Sequence, residues 1–410
     1  MFVLAITFVM FSVPFGALQN AALGGMTVAK LILPAVFLAL LAIRLEKLKL
    51  HPYFWLIAAF VVATTPSFLL SEKYFDIVPN LVSYIILFVL LHNALSRVGD
   101  LRTLFVGYFL GLMVVSLLAM TAFVFGLDAG DAVGRPLVEI WYGLPVMLGT
   151  EDNPNAFATL LVVGAPIALF LRQTTASRWM RRVYGSGALL FIVVIALTFS
   201  RSGIAGAMVG CALAIYFGKS RSARSRQVLV AALVMLAILG AVLAASIVGL
   251  GMTGDAGGES GGVSVLSNKE LSQGYRLQLA EQYIPLIAEN PLVGIGFGNL
   301  PALMEQRTGL YNNSHNILFG VAIEFGLIAA LLFTSLILLS LRSTARGMAL
   351  AVSRPDRTTG ACILAVIAGL FIHGMFHEIY VNLMLWLFIG LGGVYATLVR
   401  NSRLIRKEPS

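Results

Sequence analysis

Apolar runs of about 17 to 25 residues return along the whole length of this chain, and that repetition limits the fold more than any single motif does. Stretches such as "LILPAVFLALLAI", "LLFIVVIALTF" and "LLFTSLILLSL" contain no charge at all. A helix rises about 1.5 Å per residue, so runs of this length match the bilayer's hydrocarbon core of about 30 Å. With 59% hydrophobic and 11% charged residues, a chain of 410 residues lacks the polar side chains to cover a soluble surface. A closed barrel would show short alternating segments instead. The sequence therefore predicts an all-α polytopic membrane protein. Twelve spans are expected, near 1–18, 25–43, 52–70, 75–95, 103–126, 154–171, 183–200, 202–218, 227–250, 314–341, 358–377 and 380–399.

The formal charge of +9 would suggest a nucleic-acid partner were it not so unevenly placed. Alternate loops hold Arg44, Lys47 and Lys49; Arg97 and Arg102; Arg172, Arg178, Arg181 and Arg182; and Lys219, Arg221, Arg224 and Arg226. The same set continues with Arg342, Arg346, Arg354, Arg357 and the tail residues Arg400, Arg403, Arg406 and Lys407. These loops carry 21 of the 28 basic residues but only 4 of the 19 acidic ones. The positive-inside rule makes them cytoplasmic, with both termini inside. The surplus charge is topology, and no nucleic acid is expected as a partner.

The first span lacks a basic leading segment, and "VPFGALQN" is a poor cleavage site, so a removed signal peptide is not expected. Cys211 and Cys362 fall in mid-span positions as small apolar residues. The chain divides into spans one to nine (1–250), a large external loop (251–313), and spans ten to twelve with a short basic tail (314–410). A second external loop runs from about Leu127 to Asn153 and is acidic apart from Arg135. The large loop opens with Gly/Ser-rich linker. It continues as "LSQGYRLQLAEQYIPLIAENPLVG", whose apolar residues Leu277, Leu279, Ala280, Ile284, Ile287 and Ala288 predict an amphipathic helix lying on the membrane face. Pro285 is expected to interrupt that helix, and "NPLVGIGFGN" to end it in a tight glycine turn. No clean internal repeat is visible, which disfavours an inverted-repeat transporter.

Few residues in these spans can do chemistry. Arg201, in "LTFSRSGIAGAM", sits at the external end of its span, where basic residues are least expected. It serves either as an interfacial anchor or as a functional cation, and the broken charge pattern favours the second. Arg276, on the loop helix, is either a solvated residue or a second cation. Two guanidiniums in one external cavity would suit a diphosphate, which they grip with bidentate hydrogen bonds.

His315, flanked by Asn312, Asn313 and Asn316, is either a helix-entry cap or a general base for a sugar hydroxyl. Glu324 is nine positions further on, roughly 13 Å deeper, and reads as an internal structural or relay carboxylate. His373 and His377, four apart and followed by Glu378, share a helical face. A metal would need a third ligand that the sequence does not supply, so interfacial polar packing is the expectation. The glycine-rich "NPLVGIGFGN" follows no predicted strand and is a poor nucleotide cradle.

Four stretches, in this order and spacing, resemble the O-antigen ligase and polymerase family of bacterial polytopic membrane glycosyltransferases. They are "EDNPNAFATLL", "TFSRSGIAGA", "RLQLAEQYIPLIAENPLVGIGFGN" and "NNSHNILFGVAIEFGLIAALLF", which together span 150–340. The resemblance implies transfer of a glycan from undecaprenyl diphosphate to an acceptor hydroxyl at a site facing the periplasm, in the bacterial inner membrane. Arg201 and Arg276 would then hold the diphosphate, and His315 would activate the acceptor. Arg135, Asn155, Asn313 and Asn316 are secondary candidates.

Inversion at the anomeric carbon is expected, without nucleotide, cofactor or required metal. The long loop after the ninth span suits a ligase acting on lipid A–core. A repeat-unit or exopolysaccharide polymerase and a protein O-oligosaccharyltransferase remain open readings. A lipid-linked glycan transporter or flippase is the rival from another class, though it leaves the large loop without a task.

Overall fold

The computed structural model describes residues 2–16, 19, 22, 27–44, 48–71, 74–126, 136–141, 144–218, 273–308 and 313–405. It is a helical bundle. In chain order the helices are α1 (Phe2–Ser12, extended by a 3-10 turn at Val13–Phe15), α2 (Val28–Arg44), α3 (Pro52–Leu69), α4 (Tyr74–Ala94) and α5 (Val98–Phe125). After a small hairpin, β1 (Val138–Trp141) and β2 (Leu144–Met147), come α6 (Pro154–Thr174), α7 (Arg178–Leu197) and α8 (Arg201–Gly218). Then follow α9 (Gln273–Glu289), α10 (Leu300–Thr308), α11 (Ile317–Leu350), α12 (Arg354–Gly374) and α13 (Leu383–Ile405). Among the described residues, eight helices are long and apolar enough to cross a membrane, and three shorter apolar helices accompany them. The span expected near 227–250 lies outside the described residues.

Consecutive helices joined by short turns alternate in direction, so the connections collect at two ends of the bundle. One end gathers the arginine-rich turns, including Arg97, Arg172, Arg178 and Arg354. At the other, Ser71 Oγ donates to Phe297 O at 2.6 Å, Asn299 Nδ2 to Leu70 O at 2.9 Å, and Thr150 Oγ1 to Pro14 O. We call this second end the mouth. The charge division seen in the sequence thus corresponds to a physical division of the molecule.

Close helix packing fixes the geometry of the mouth. In lipid there is no hydrophobic drive between helices, so small residues that let backbones approach decide which helices pair. The helices α8 and α12 meet through Gly206 and Gly369. A Cβ on Gly206 would lie 2.6 Å from Gly369 O, and one on Gly369 would lie 2.8 Å from Gly206 O. One turn further, Gly210 faces Ala365 O in the same way. The antiparallel crossing sets the first turn of α8 beside the last turn of α12.

A break at Gly326 (φ 86°, ψ 170°) divides α11. Breaking a helix frees backbone donors and acceptors, which at membrane depth must be satisfied by protein. The segment 291–298 supplies the partners. Ile295 N–H donates to Ile323 O at 2.9 Å, Gly296 N–H to Glu324 O at 3.2 Å, and Leu327 N–H to Pro291 O at 2.8 Å. Glu324 completes the join, accepting from Gly298 N–H at 3.0 Å and from the Tyr380 hydroxyl at 2.5 Å. Of the two roles the sequence allowed, these bonds fit the structural one. The glycines of "NPLVGIGFGN" are required here: Gly294, Gly296 and Gly298 all have positive φ, and a Cβ on Gly294 would collide with the Glu324 carbonyl group.

Three details differ from the sequence reading. The loop helix α9 does not present Ile284 and Ala288 to its neighbours, since both are exposed. Instead Tyr283 and Leu286 are buried, clustering with Leu300, Met304 and Ile323. The helix packs against α10 and the outer part of α11 because that apolar pocket competes with the membrane face for its stripe. Pro285 lies inside a continuous helix, where the missing N–H removes a single bond. The hairpin was not foreseen. It pairs Val138 with Met147 and Trp141 with Leu144 in antiparallel register, within a loop read only as acidic.

Candidate functional site

Among the helices that meet at the mouth, α6, α8 and α11 begin beside the last turn of α12. Asn153 caps α6 by accepting from Ala156 N–H at 2.8 Å. Asn316 caps α11, its Oδ1 accepting from Leu318 and Phe319 N–H at 2.9 and 3.1 Å, while its Nδ2 donates to Met375 O at 3.1 Å. The cap is therefore Asn316 and not His315. At α8 the Ser200 hydroxyl accepts from Gly203 N–H at 3.1 Å and donates to Asn155 Oδ1 at 2.6 Å. Helix N-termini carry partial positive charge, so three of them at one end favour an anion there.

Arg201, the first residue of α8, is exposed at this mouth. His315, one residue before the α11 cap, is exposed as well. What joins the two segments is the histidine pair that the sequence reading assigned to interfacial packing. His373 is fully buried. Its Nε2 lies 2.9 Å from Thr159 Oγ1 and 3.2 Å from Asn155 O. Thr159 Oγ1 already donates to Asn155 O at 2.9 Å, so both oxygens can only accept, and the proton belongs on Nε2. The backbone of Ser202, next to Arg201, faces the same ring. The ring centroid of His377 lies 5.4 Å from that of His373, and His315 is near enough to act on His377 electrostatically. The path from Arg201 to His315 thus runs through Ser202, His373 and His377.

His377 and Glu378 lie in the turn between α12 and α13, and both are perturbed. Burial, with His373 and His315 adding to it, pushes His377 down to about 3, so its imidazole is neutral. Burial raises Glu378, and hydrogen bonds from Ser314 and the His315 backbone pull it partly back. Glu378 Oε1 accepts from Ser314 N–H at 2.6 Å and also from the Ser314 hydroxyl.

These bonds hold an unusual backbone. Among the described residues only two non-glycine residues have positive φ, Phe199 (52°) and His315 (47°). The first lies two residues before Arg201, and the second is the candidate histidine itself. Such conformations cost on the order of 1–3 kcal/mol and persist only where surrounding bonds over-determine them. Two strained residues at one mouth, both in candidate motifs, point to a working site.

The remaining candidates divide. Asn155 positions Ser200 and His373, and Asn313 offers its carbonyl to the Tyr283 hydroxyl at 2.7 Å, tying α9 to the segment that carries His315. Arg276 belongs to α9, but its side chain, like Arg135, lies outside the described residues. The exposed pair Arg307–Glu289, 2.7 Å apart, links α10 to α9, and at that exposure it adds little stability. His373, His377, Glu378 and Tyr380 were the residues that sequence reasoning undervalued. The only signal for them was the four-residue spacing of two histidines ahead of a glutamate.

No curated protein matches the chain. Residues 186–334 match the family model described as O-Antigen ligase, a segment that runs from within α7, through Arg201 and α9, past His315 and the break in α11. Over that segment, a little more than a third of the chain, the sequence is similar to the O-antigen ligase family, and that similarity together with the membrane-length helices supports a multi-pass bacterial membrane protein with ligase- or polymerase-type activity in O-antigen assembly.

Proposed function

We propose that this protein is an O-antigen ligase that transfers a glycan from undecaprenyl diphosphate to a hydroxyl of lipid A–core, at a mouth facing the periplasm. The observation that carries the reading is the joining of Arg201 and His315, more than a hundred residues apart, through Ser202, His373 and His377. The positive-inside rule orients the molecule, since the mouth is opposite the arginine-rich turns.

In this reaction the acceptor oxygen forms a bond to the anomeric carbon while the bond from that carbon to the diphosphate oxygen breaks. The leaving diphosphate keeps the electron pair, and the configuration inverts. Its growing negative charge is met by Arg201 and by the helix N-termini, fixed before reaction in a mouth where such charges lower the barrier most, with Arg276 of α9 as the second expected cation. The acceptor proton passes to His315. Glu378 positions that imidazole by holding the backbone of Ser314 and His315. Neutral His377 sits behind His315 without adding a cation to repel the incoming proton. The lipid tail of the donor enters sideways between spans, which explains a catalytic mouth at membrane level.

The test is to incubate purified protein in detergent with lipid-linked glycan and labelled lipid A–core, with no ATP. Product is expected, and it should be lost in Arg201→Ala, Arg276→Ala and His315→Ala variants that still fold. Full turnover in all three would end the site assignment. Label appearing in a lengthening glycan instead of lipid A–core would make the protein a polymerase. Absence of any product from folded wild type, where transport has no meaning in detergent, would favour the transporter reading.

A further inference from the structure

At the opposite end of the bundle, an open depression of about 580 Å³ is lined by Arg172, Arg178, Arg181, Arg182, Gly185, Ser186 and Leu189. Six of these residues follow the spacing of a single helical face on α7, and Arg172 reaches across from the end of α6. Its side chain lies over Gly185: a Cβ there would be in van der Waals contact with Arg172 Cδ at 3.4 Å. Among the described residues no acidic side chain lines the depression.

Two features make this arrangement unfavourable when empty. Like charges three and four apart on one helix face repel each other. The first turns of α7 also carry the positive end of the helix dipole, against which Arg178, Arg181 and Arg182 are placed. At another basic turn Arg97 lies 3.9 Å from the carboxylate of Asp100, whereas here Arg181 donates to a backbone carbonyl, Ala176 O, at 3.2 Å.

The depression is also graded. The arginines lie on the first turns of α7 and Leu189, 60% exposed, two turns further along the same face, while Trp179, 68% exposed, stands beside the arginines. An aromatic ring at the headgroup level is a membrane-interface feature. A free anion would have no use for Leu189.

We infer that this face of α6 and α7 is a binding site for a lipid whose headgroup carries two phosphates, held by the arginine fork groups with its first acyl carbons against Leu189. Several guanidiniums can grip a doubly anionic headgroup bidentately, whereas a single phosphate would leave part of the cluster unmatched. The site is on the opposite end from the catalytic mouth and does not depend on the proposed reaction.

Native mass spectrometry of the purified full chain tests it, with cardiolipin, phosphatidylglycerol and inorganic pyrophosphate as probes. Wild type is expected to retain cardiolipin roughly tenfold more tightly than phosphatidylglycerol. Arg181→Gln/Arg182→Gln should abolish that preference, while Arg342→Gln/Arg346→Gln, which removes equal charge from the same end, should leave it intact. Leu189→Asn keeps every charge and should weaken both lipids while leaving pyrophosphate binding unchanged. If the first double variant does not fold, Arg172→Gln, on the neighbouring helix, takes its place. Equal losses in both double variants, equal retention of the two lipids by wild type, or displacement of cardiolipin by pyrophosphate at matched concentration would each overturn the inference.

Discussion

Glu378 Oε1 accepts a hydrogen bond from the backbone N–H of Ser314 at 2.6 Å, across 64 residues of chain. That single carboxylate, with its further bonds to the Ser314 hydroxyl and the His315 backbone, keeps His315 in a left-handed conformation that a side-chain-bearing residue rarely adopts. Replacing it by Gln keeps an acceptor oxygen but removes the charge. Glu378→Gln is expected to lower glycan transfer about tenfold, and Glu378→Ala about a hundredfold, because the imidazole then leaves its working position. Initial rates with lipid-linked donor check this, read against a melting temperature that should change far less than the rate. A wild-type rate in Glu378→Ala would remove the carboxylate from the mechanism.

Arg201 is exposed, so its loss should not cost folding. Arg201→Ala is expected to reduce turnover by about 10²- to 10³-fold, the range for removing a fixed group that stabilises developing charge. Arg201→Lys should recover only part of the rate, since an ammonium lacks the bidentate fork. Complete rescue by Lys would mean that only charge matters there.

His377 gives the protein an acid limit. Its folded value near 3 is below the ordinary histidine value of 6.5. As pH falls through 6.5 the unfolded chain takes up a proton that the folded chain refuses, so stability declines between about 6.5 and 3 and is unaffected by this group above that window. Thermal unfolding in detergent across this range should show the decline for wild type, and His377→Gln should flatten it. An unchanged pH slope in the variant would assign the acid sensitivity elsewhere.

The spans were legible because hydropathy is a local property, and the arginine-rich turns gave the division into two ends before any coordinates. Arg201 and His315 could be singled out for a similarly local reason: each is a polar residue where an apolar run should begin. The partners that unite them could not be read. His373 owes its position to Thr159, Asn155 and Ser202, all distant in sequence, and a two-histidine spacing carries no trace of them. The break at Gly326 was hidden for a different reason. The run on either side is uniformly apolar, and one glycine in such a run reads as ordinary membrane helix. Likewise the α9 stripe was displaced because neighbours, not periodicity, chose its buried face.

Gly326→Ala tests the broken helix. Beyond the strain of φ 86°, its Cβ would lie 2.3 Å from Leu292 O, a contact only backbone movement could relieve. A loss of several degrees or more in melting temperature is expected, with failure to accumulate as the extreme. Tyr380→Phe removes one buried hydrogen bond from Glu324 and should cost about 1–3 kcal/mol. Denaturant or thermal unfolding distinguishes the two, and an unaltered midpoint in both would contradict the bonding described at the break.

The break in α11 also bears on how the protein matures. Helices can be delivered into lipid one after another, each satisfying its own backbone, but α11 cannot, because its open carbonyls at Ile323 and Glu324 wait for Ile295 and Gly296. The segment 291–298 is therefore a structural part of the membrane core. Until it threads into that gap the bundle is unfinished, and assembly of the scaffold and closure of the mouth become one event.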